Sequence, residues 1–336
     1  NGQEKILIML NGHRLNSYCT NTAAPDFSIG LDKLKQIEVL RGPASSLYGG
    51  VALTAVVNLI TKQGADIDGV KIRAGVGNYG QFRGDLMFGK RYFDLDILLW
   101  GSFHLIRGQK RYLSKEDTGL NIMGGDVNVG GIGPKPSYDF GMSIKYKNLQ
   151  FLYNTQYSQV ESPLTMTHLA STYDVGRYKT FYGTRPSHTT ISHHADLKYG
   201  QQFGNVYFMG QVAYDNSDLT HYQVISDIPL PGFKELLPLP TLQLLTDSTQ
   251  GLARYISGQE HTFGSKIQSY WNYINNGRHK GLLTVGAEYS FFKLDDARYV
   301  FVYDYMKTLP ETINISELGK GHETYQEKEG VRTHYD

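Results

Sequence analysis

Apolar and polar side chains alternate along most of the chain between residues 70 and 294. In the segment Leu95–His104, one face carries leucine, isoleucine and phenylalanine, and the other carries Asp96, Ser102 and His104. A period of two indicates β-strands with one apolar and one polar face. The same pattern predicts nine strands, at residues 70–76, 82–88, 95–103, 138–146, 149–157, 190–199, 206–214, 262–273 and 283–291.

The connections between these strands fall into two classes, and the classes alternate. Tight polar turns are expected at Lys90–Asp94, Lys147–Asn148, Gly200–Asn205 and Asn275–Gly281. Between them lie long segments, while the first connection, Gly77–Gln81, is an exception in being short. Alternating short and long connections are typical of outer-membrane β-barrels, with periplasmic turns and extracellular loops. A soluble β-sandwich is the alternative, but its loops do not usually divide in this way. The long segments are 105–137, 159–189, 216–261 and a last one starting near residue 295.

The first 63 residues have a different, mixed pattern. Ile6–Leu10 and Val56–Ile60 are predicted as strands because they are continuous apolar runs. Leu31–Gln36 has helical spacing and is predicted as a helix, followed by a strand at Ile37–Leu40. Gly42-Pro43 is expected to open a second, short helix. The pattern therefore predicts a small α+β module ahead of the long β region.

Composition narrows the class of protein. Lysine plus arginine total 33 and acidic residues 32, and this balance argues against electrostatic binding of nucleic acid. Cys19 is the only cysteine, so no internal disulfide is possible. No apolar run approaches the 18 residues of a transmembrane helix. The spacing Gly75-x-Gly77-x-x-Gly80 precedes a strand rather than a helix, which excludes dinucleotide binding, and no catalytic motif is present. The chain is not expected to be an enzyme.

Three motifs in the first module carry a family resemblance. The runs are ILIMLNGHRLN at 6–16, IEVLRGPASSLYG at 37–49 and VVNLITK at 56–62. In this order and spacing they resemble the plug of TonB-dependent outer-membrane receptors. Ala55 stands where that family usually has glycine. The resemblance covers residues 1–63 directly and the remainder only through architecture.

The resemblance implies a fold and a division into domains. The expected fold class is an all-β transmembrane barrel, antiparallel and part of a 22-stranded barrel, with a small α+β plug domain. Residues 1–63 would be the C-terminal part of the plug, and 64–336 the N-terminal part of the barrel. At this strand spacing 22 strands need roughly 550 residues. The chain is therefore expected to be a middle fragment, without the TonB box, the first half of the plug and the last barrel strands.

The resemblance also implies a function. The expected activity is TonB-energised import of a scarce nutrient across the bacterial outer membrane, with an iron–siderophore complex ranked first. Cobalamin or haem is the alternative, and a glycan or peptide importer or a passive porin comes last. No cofactor is expected, although the transported ligand can contain iron or cobalt. The expected partners are the TonB–ExbB–ExbD complex, outer-membrane lipids, the nutrient and, as an open alternative, a surface lipoprotein, without nucleic acid.

Site residues follow from the family positions of the motifs. Tyr18, Asn21 and Thr22 occupy the loop at the plug apex and are the expected ligand contacts, and Glu38 and Arg41 are expected to contact the barrel wall. Polar residues facing the lumen are expected to supply the wall side of that contact, and no metal site is expected. The backbone motif comprises Gly42, Pro43, Tyr48 and Gly49, and the wall candidates are Arg73, Arg83, Asp85, Lys145 and Glu288.

Overall fold

The computed structural model of the chain describes residues 5–18, 23, 30–44, 48, 51–113, 125–129, 135–161, 180, 184–226, 252–275, 280–303, 307–308 and 330–333. The elements of the plug region are β1 (Ile6–Leu10), β2 (His13–Arg14), β3 (Leu34–Arg41), β4 (Ala55–Thr61) and the short helix α1 (Gly64–Ile67). The following strands are β5 (Gly69–Gly77), β6 (Gln81–Tyr92), β7 (Leu95–Leu105), β8 (Gln109–Leu113), β9 (Gly125–Val129), β10 (Ser137–Tyr146), β11 (Leu149–Val160), β12 (Ser187–Phe203), β13 (Val206–Ser226), β14 (Leu252–Asn275), β15 (Lys280–Tyr303), β16 (Lys307–Thr308) and β17 (Gly330–Thr333).

One large antiparallel sheet contains all nine strands that the alternation predicts. Its order is β16-β15-β14-β13-β12-β11-β10-β7-β6-β5, and β17 pairs with β15 off this path. Consecutive strands of this sheet pair antiparallel, alternately across tight turns, as between β10 and β11 at Lys147-Asn148, and across long connections, as between β7 and β10. The all-β antiparallel fold class is confirmed. We call this sheet the wall.

The two faces of the wall differ as the alternation requires. The inner face carries polar side chains such as Asp85, Asp96 and Asp139, which are buried, and apolar residues on it, such as Met87, Leu98 and Trp100, are buried in the core shared with the plug. The opposite face exposes large apolar side chains, which suits contact with lipid. No helix within the described residues is long and apolar enough to span a membrane. Outward-facing examples are Val70, Ile72, Leu86, Phe88, Leu99, Phe103, Leu197, Val212, Phe263, Ile267 and Val285.

Several strands extend well beyond their predicted ends. β13 has 21 residues, and β14 and β15 have 24 each. About 9–11 residues suffice to cross the bilayer, so these strands continue past it on the side of the long connections. Polar residues in these extensions interrupt the alternation, so the hydrophobicity pattern does not predict them as strands. The hairpin of β8 and β9 inside the segment 105–137 was missed for the same reason.

A separate four-stranded sheet forms the plug module, in the order β2-β1-β4-β3. β1 and β4 pair in parallel and confirm the strands predicted from their apolar runs. The helix predicted over Leu31–Gln36 is wrong. A tight turn closes between Leu34 N–H and Leu31 O at 3.0 Å, and β3 then pairs antiparallel with β4. The available strand partner outweighs the local spacing of Leu31 and Leu34.

Gly42 begins the backbone motif with a conformation that favours glycine. Its φ is +108°, and its N–H donates to Thr54 O at 2.9 Å. A side chain would strain this turn. The N–H of Tyr48 donates to Ala44 O at 3.0 Å, four residues back, as expected for the predicted short helix. Gly49 lies outside the described residues.

The plug packs on the inner face of the wall through a shared hydrophobic core. Its members from the plug are leucines of β1, β4 and the segment after β2, and those from the wall lie on β6, β7 and β11. A second core cluster lies within the plug region, where residues of β1 and β4 contact Ala44, Val51 and Ala52. The shared core comprises Leu10, Leu15, Leu59, Met87, Leu98, Trp100 and Leu152.

Candidate functional site: the plug–wall interface

The plug–wall interface comprises the contacts between residues 5–68 and the inward-facing side chains of the wall. Its deepest contact is the ion pair of Lys33 with Asp139, whose side chains are 1% and 0% exposed. Asp139 also accepts from Gly30 N–H at 2.8 Å and from Trp100 Nε1 at 2.9 Å. Asn154 Nδ2 donates to it at 2.6 Å. These donors satisfy a carboxylate that would otherwise be very costly to bury.

Close packing accompanies this ion pair. A Cβ on Gly30 would lie only 2.0 Å from Ser102 Oγ and 3.1 Å from Ser102 Cβ. The Lys33 ammonium lies 5.1 Å from the Trp100 ring centroid, which adds a cation–π contact. Burial lowers the pKa of Lys33 more than Asp139 raises it, so the net shift is downward. The segment 30–33 is therefore fixed against β7 and β10.

A second ionic cluster joins the plug to the first strands of the wall. Asp32 accepts from Arg73 on β5 and from Arg83 on β6, the latter at 2.8 Å. Arg83 also donates to Asp85 at 2.8 Å. Asp32 is shielded while both arginines remain partly exposed, so screening by solvent limits the strength of each pair. The cluster aligns the plug with β5 and β6.

The exit from the plug is fixed by Asp96 on β7. Gly64 N–H and Ala65 N–H donate to its two carboxylate oxygens at 2.6 and 3.1 Å. A Cβ on Gly64 would lie 2.2 Å from the backbone oxygen of Ile97, so this close approach requires glycine. The contact positions α1 directly on the hairpin of β6 and β7.

A histidine cluster lies further along the wall. His13 Nε2 lies 2.7 Å from Asp215 Oδ1 on β13, and His194 Nδ1 on β12 lies 2.7 Å from the same oxygen. His13 Nδ1 faces Asp196 at 3.9 Å. Burial lowers the pKa of His13, but Asp215 and Asp196 raise it more, so the net shift is upward.

The last described contact involves the start of the apex loop. Ser17 Oγ and Tyr18 N–H donate to the two oxygens of Glu260 on β14, each at 2.8 Å. The Tyr18 ring stacks on Phe292 of β15 with centroids 6.2 Å apart, and the Arg14 guanidinium lies 3.8 Å from its centroid. Burial raises the pKa of the Tyr18 hydroxyl. Tyr18 thus joins the plug apex to the wall.

Only some of the site residues predicted from the motifs lie at the plug–wall interface. Of the apex residues, Tyr18 lies there, whereas Asn21 and Thr22 lie outside the described residues. Glu38 is exposed on β3 and accepts from Gln36 and Asn58, both in the plug. Arg41 is also exposed, at the end of β3, and among the described contacts neither it nor Glu38 bonds to the wall. A ligand role for the apex residues and a wall role for Glu38 and Arg41 stay predictions.

Of the wall candidates, Arg73, Arg83 and Asp85 do meet the plug cluster around Asp32. Glu288 pairs with Lys266 on β14 at 3.2 Å. Sequence reasoning missed the strongest wall groups, which are Asp139, Asp215 and Glu260. The signal was present for Asp139 and Asp215, acidic residues on the polar faces of predicted strands, whereas Glu260 falls in the predicted connection 216–261, part of which the structure shows as β14.

Comparison with known proteins agrees with this architecture. A family model described as the TonB-dependent receptor plug domain matches residues 1–56. The vitamin B12 transporter of Vibrio vulnificus is 26% identical over 118 residues, which are 35% of this chain and 19% of that protein. The chain therefore spans about a fifth of the length of this curated relative.

Solved structures resemble the whole arrangement of plug and wall. The pyoverdine outer membrane receptor of Pseudomonas aeruginosa aligns with a TM-score of 0.56 at 15% identity, covering 88% of this chain and 40% of that one. The closed ferric-catecholate import receptor of E. coli K12 gives 0.54 at 14% identity, covering 89% and 41%. The siderophore receptor of Acinetobacter baumannii gives 0.52 at 15%, covering 89% and 39%. Residues 1–56 therefore match the plug domain of TonB-dependent receptors, and the chain shares with the solved receptors the fold of a plug packed on the inner face of a β-sheet wall.

Proposed function

We propose that the receptor containing this chain imports an iron–siderophore complex across the outer membrane, using energy delivered through TonB. The observation that carries the proposal is the plug packed on the polar inner face of the wall. Through Lys33, Asp32, His13 and Tyr18 it contacts strands from β5 to β15. A plug held in this way obstructs passive diffusion, so a passive porin is disfavoured and an energised step is needed.

The choice of ligand rests on similarity to solved receptor structures and on the residues of two plug motifs. Several of the similar structures are siderophore receptors, among them one for pyoverdine and one for ferric catecholates. The runs Arg41-Gly42-Pro43 and Asn58–Lys62 also resemble siderophore, haem and cobalamin receptors more than glycan importers. The curated relative transports vitamin B12, and cobalamin is therefore the second candidate. TonB with ExbB and ExbD would be the energising partners.

Uptake by cells tests the proposal directly. We expect cells expressing the full-length receptor to accumulate radiolabelled iron from one of a panel of hydroxamate, catecholate and pyoverdine-type siderophores. The accumulation should be absent in a tonB deletion strain, because the plug then stays in place. Cyanocobalamin and haem serve as parallel ligands. TonB-dependent uptake of cobalamin without iron would replace the first candidate by the second, and TonB-independent uptake would overturn the importer proposal.

The apex loop gives a more local prediction. Tyr18 stacks on Phe292 and lies against the Arg14 guanidinium, so its ring positions the apex loop in which the ligand contacts are expected. We expect Tyr18→Ala to weaken binding of the identified ligand by about 2 kcal/mol, roughly thirtyfold, when measured without TonB. Tyr18→Phe should keep most of the affinity because the ring can still stack on Phe292.

Tyr79→Ala is the control for this prediction, since Tyr79 is an exposed turn residue between β5 and β6. The dissociation constant of the Tyr79→Ala variant for the ligand should match that of the unmodified receptor. Heat-dependent gel mobility verifies that every variant has a folded barrel. An unchanged dissociation constant for folded Tyr18→Ala would remove this side chain from the ligand site.

A further inference from the structure

Three side chains of types that can bind metal ions meet at the plug–wall interface, each from a different strand. They are His13 on β2, His194 on β12 and Asp215 on β13, and their donor atoms all lie within 4.8 Å of one another. His13 and His194 are buried, and Asp215 is only partly exposed. The rings of the two histidines meet edge to face with centroids 5.5 Å apart. The sequence conceals this group because 202 residues separate His13 from Asp215.

We propose that His13, His194 and Asp215 form a binding site for one divalent transition-metal ion of the zinc class, which would hold the plug to the wall. Two imidazoles with one carboxylate are donors that zinc prefers. The proposal differs from the expectation that the chain has no metal site. It also stands apart from the nutrient, since the site lies within the interface and involves no apex-loop residue.

The donor geometry requires only a small adjustment. Asp215 Oδ1 lies 2.7 Å from each imidazole nitrogen, where hydrogen bonds now join the groups. Zinc bonds of about 2.0–2.1 Å at tetrahedral angles place donor atoms roughly 3.3 Å apart. Each imidazole nitrogen would therefore move about 0.6 Å away from Asp215 Oδ1. Rotation of the three side chains can supply that movement without changing the strand register.

Neighbouring groups provide the outer contacts that metal-bound histidines usually have. Asp196 Oδ1 lies 3.9 Å from His13 Nδ1, on the opposite edge of the ring from Asp215. A carboxylate in that position favours the tautomer that leaves Nε2 free to bind a metal. Lys198 pairs with Asp196 at 3.1 Å and donates to Asn11 O at 2.7 Å, so its ammonium is already bound elsewhere.

The local charge also suits a cation. With neutral histidines, the carboxylates of Asp215 and Asp196 outnumber the single ammonium of Lys198. A divalent ion would replace the proton that otherwise joins His13 to Asp215 and would connect three strands at once. It would thus increase the work needed to move this part of the plug.

Metal binding by the purified full-length receptor tests the site. The receptor in detergent is stripped with a chelator and titrated with Co²⁺, whose visible absorption reports coordination by protein nitrogen and oxygen, and with Zn²⁺ by calorimetry. We expect binding of one ion per receptor and a higher thermal midpoint in zinc than in chelator. His13→Ala and His194→Ala should each weaken that binding at least tenfold and abolish the zinc-dependent thermal shift.

His193→Ala is the matched control. His193 is adjacent on β12 but points to the other face, where it lies 3.1 Å from the Tyr153 hydroxyl. It should bind metal like the unmodified receptor. Asp215→Asn keeps the size of the side chain while removing its charge, and it should also weaken binding in a folded protein.

Two results would overturn the metal site. One is an unmodified receptor that takes up no stoichiometric Zn²⁺ or Co²⁺. The other is binding that survives both His13→Ala and His194→Ala, which would assign the metal to other residues. Neither result bears on nutrient uptake, so failure of this site and failure of the importer proposal are distinguishable.

Discussion

Replacing Asp139 with alanine should release the central part of the plug from the wall. The variant leaves the Lys33 ammonium buried without its counter-ion and removes the acceptor for Gly30, Trp100 and Asn154. Breaking a buried ion pair in this way costs about 3–5 kcal/mol. Hydrogen–deuterium exchange of the full-length receptor should therefore speed up strongly in peptides covering residues 30–44. Exchange in the wall strands β12–β15 should change little.

Two further variants test whether the unpaired buried charge causes the faster exchange. Asp68→Ala removes an exposed pair with Lys90, and we expect no measurable change because both partners face water. The double variant Lys33→Met with Asp139→Asn should recover much of the loss, since it buries no unpaired charge and its amide oxygen can still accept from Trp100 and Asn154. Exchange in folded Asp139→Ala that equals the unmodified receptor would contradict this account of the interface.

A disulfide between residues 30 and 102 should stop transport completely. The change is Gly30→Cys with Ser102→Cys, in a Cys19→Ser background that removes the native thiol of this chain. A Cβ on Gly30 lies 3.1 Å from Ser102 Cβ, and disulfides have Cβ separations of about 3.5–4.5 Å. A shift of a few tenths of an ångström therefore allows the bond. It would join the plug segment before Lys33 covalently to β7.

Uptake of the cognate ligand before and after reduction is the measurement. We expect the oxidised double variant to behave like a strain without TonB, and dithiothreitol to restore uptake. Binding of ligand at the cell surface should persist in both states, because the apex loop is not crosslinked. The two single-cysteine variants are the controls. Normal transport by a fully oxidised population would show that segment 30–33 stays on the wall while other parts of the plug open the path.

The strands of the wall could be predicted because their pattern is local. Each strand has one apolar and one polar face, and that period of two is present in ten or fewer residues. β10, with apolar Tyr138 and Phe140 alternating with Asp139 and Gly141, shows how clearly the pattern appears. The extensions of β13, β14 and β15 carry polar residues on both faces, so the local pattern gives no sign of them.

At Leu31–Gln36, in contrast, the local pattern predicted the wrong element, a helix. Leu31 and Leu34 fit helical spacing, but the same residues permit a turn followed by a strand. The parallel pair of β1 and β4 leaves the other edge of β4 open, and β3 occupies it from Leu34 to Arg41. Asp32 in the turn is then free to reach Arg73 and Arg83. Tertiary pairing therefore decided the local structure.

The sequence by itself determined the class of fold and which side chains face the lumen. Strand alternation and the plug motifs each depend on residues that are close together in the sequence. It indicated that Arg73, Arg83 and Asp85 face inward, but not which plug residue they meet. Only the tertiary structure brought Lys33 to Asp139, Tyr18 to Glu260, and His13 to His194 and Asp215. These partners lie 106 to 242 residues apart. No local rule connects such positions, and only the placement of the plug against the wall selects the pairs.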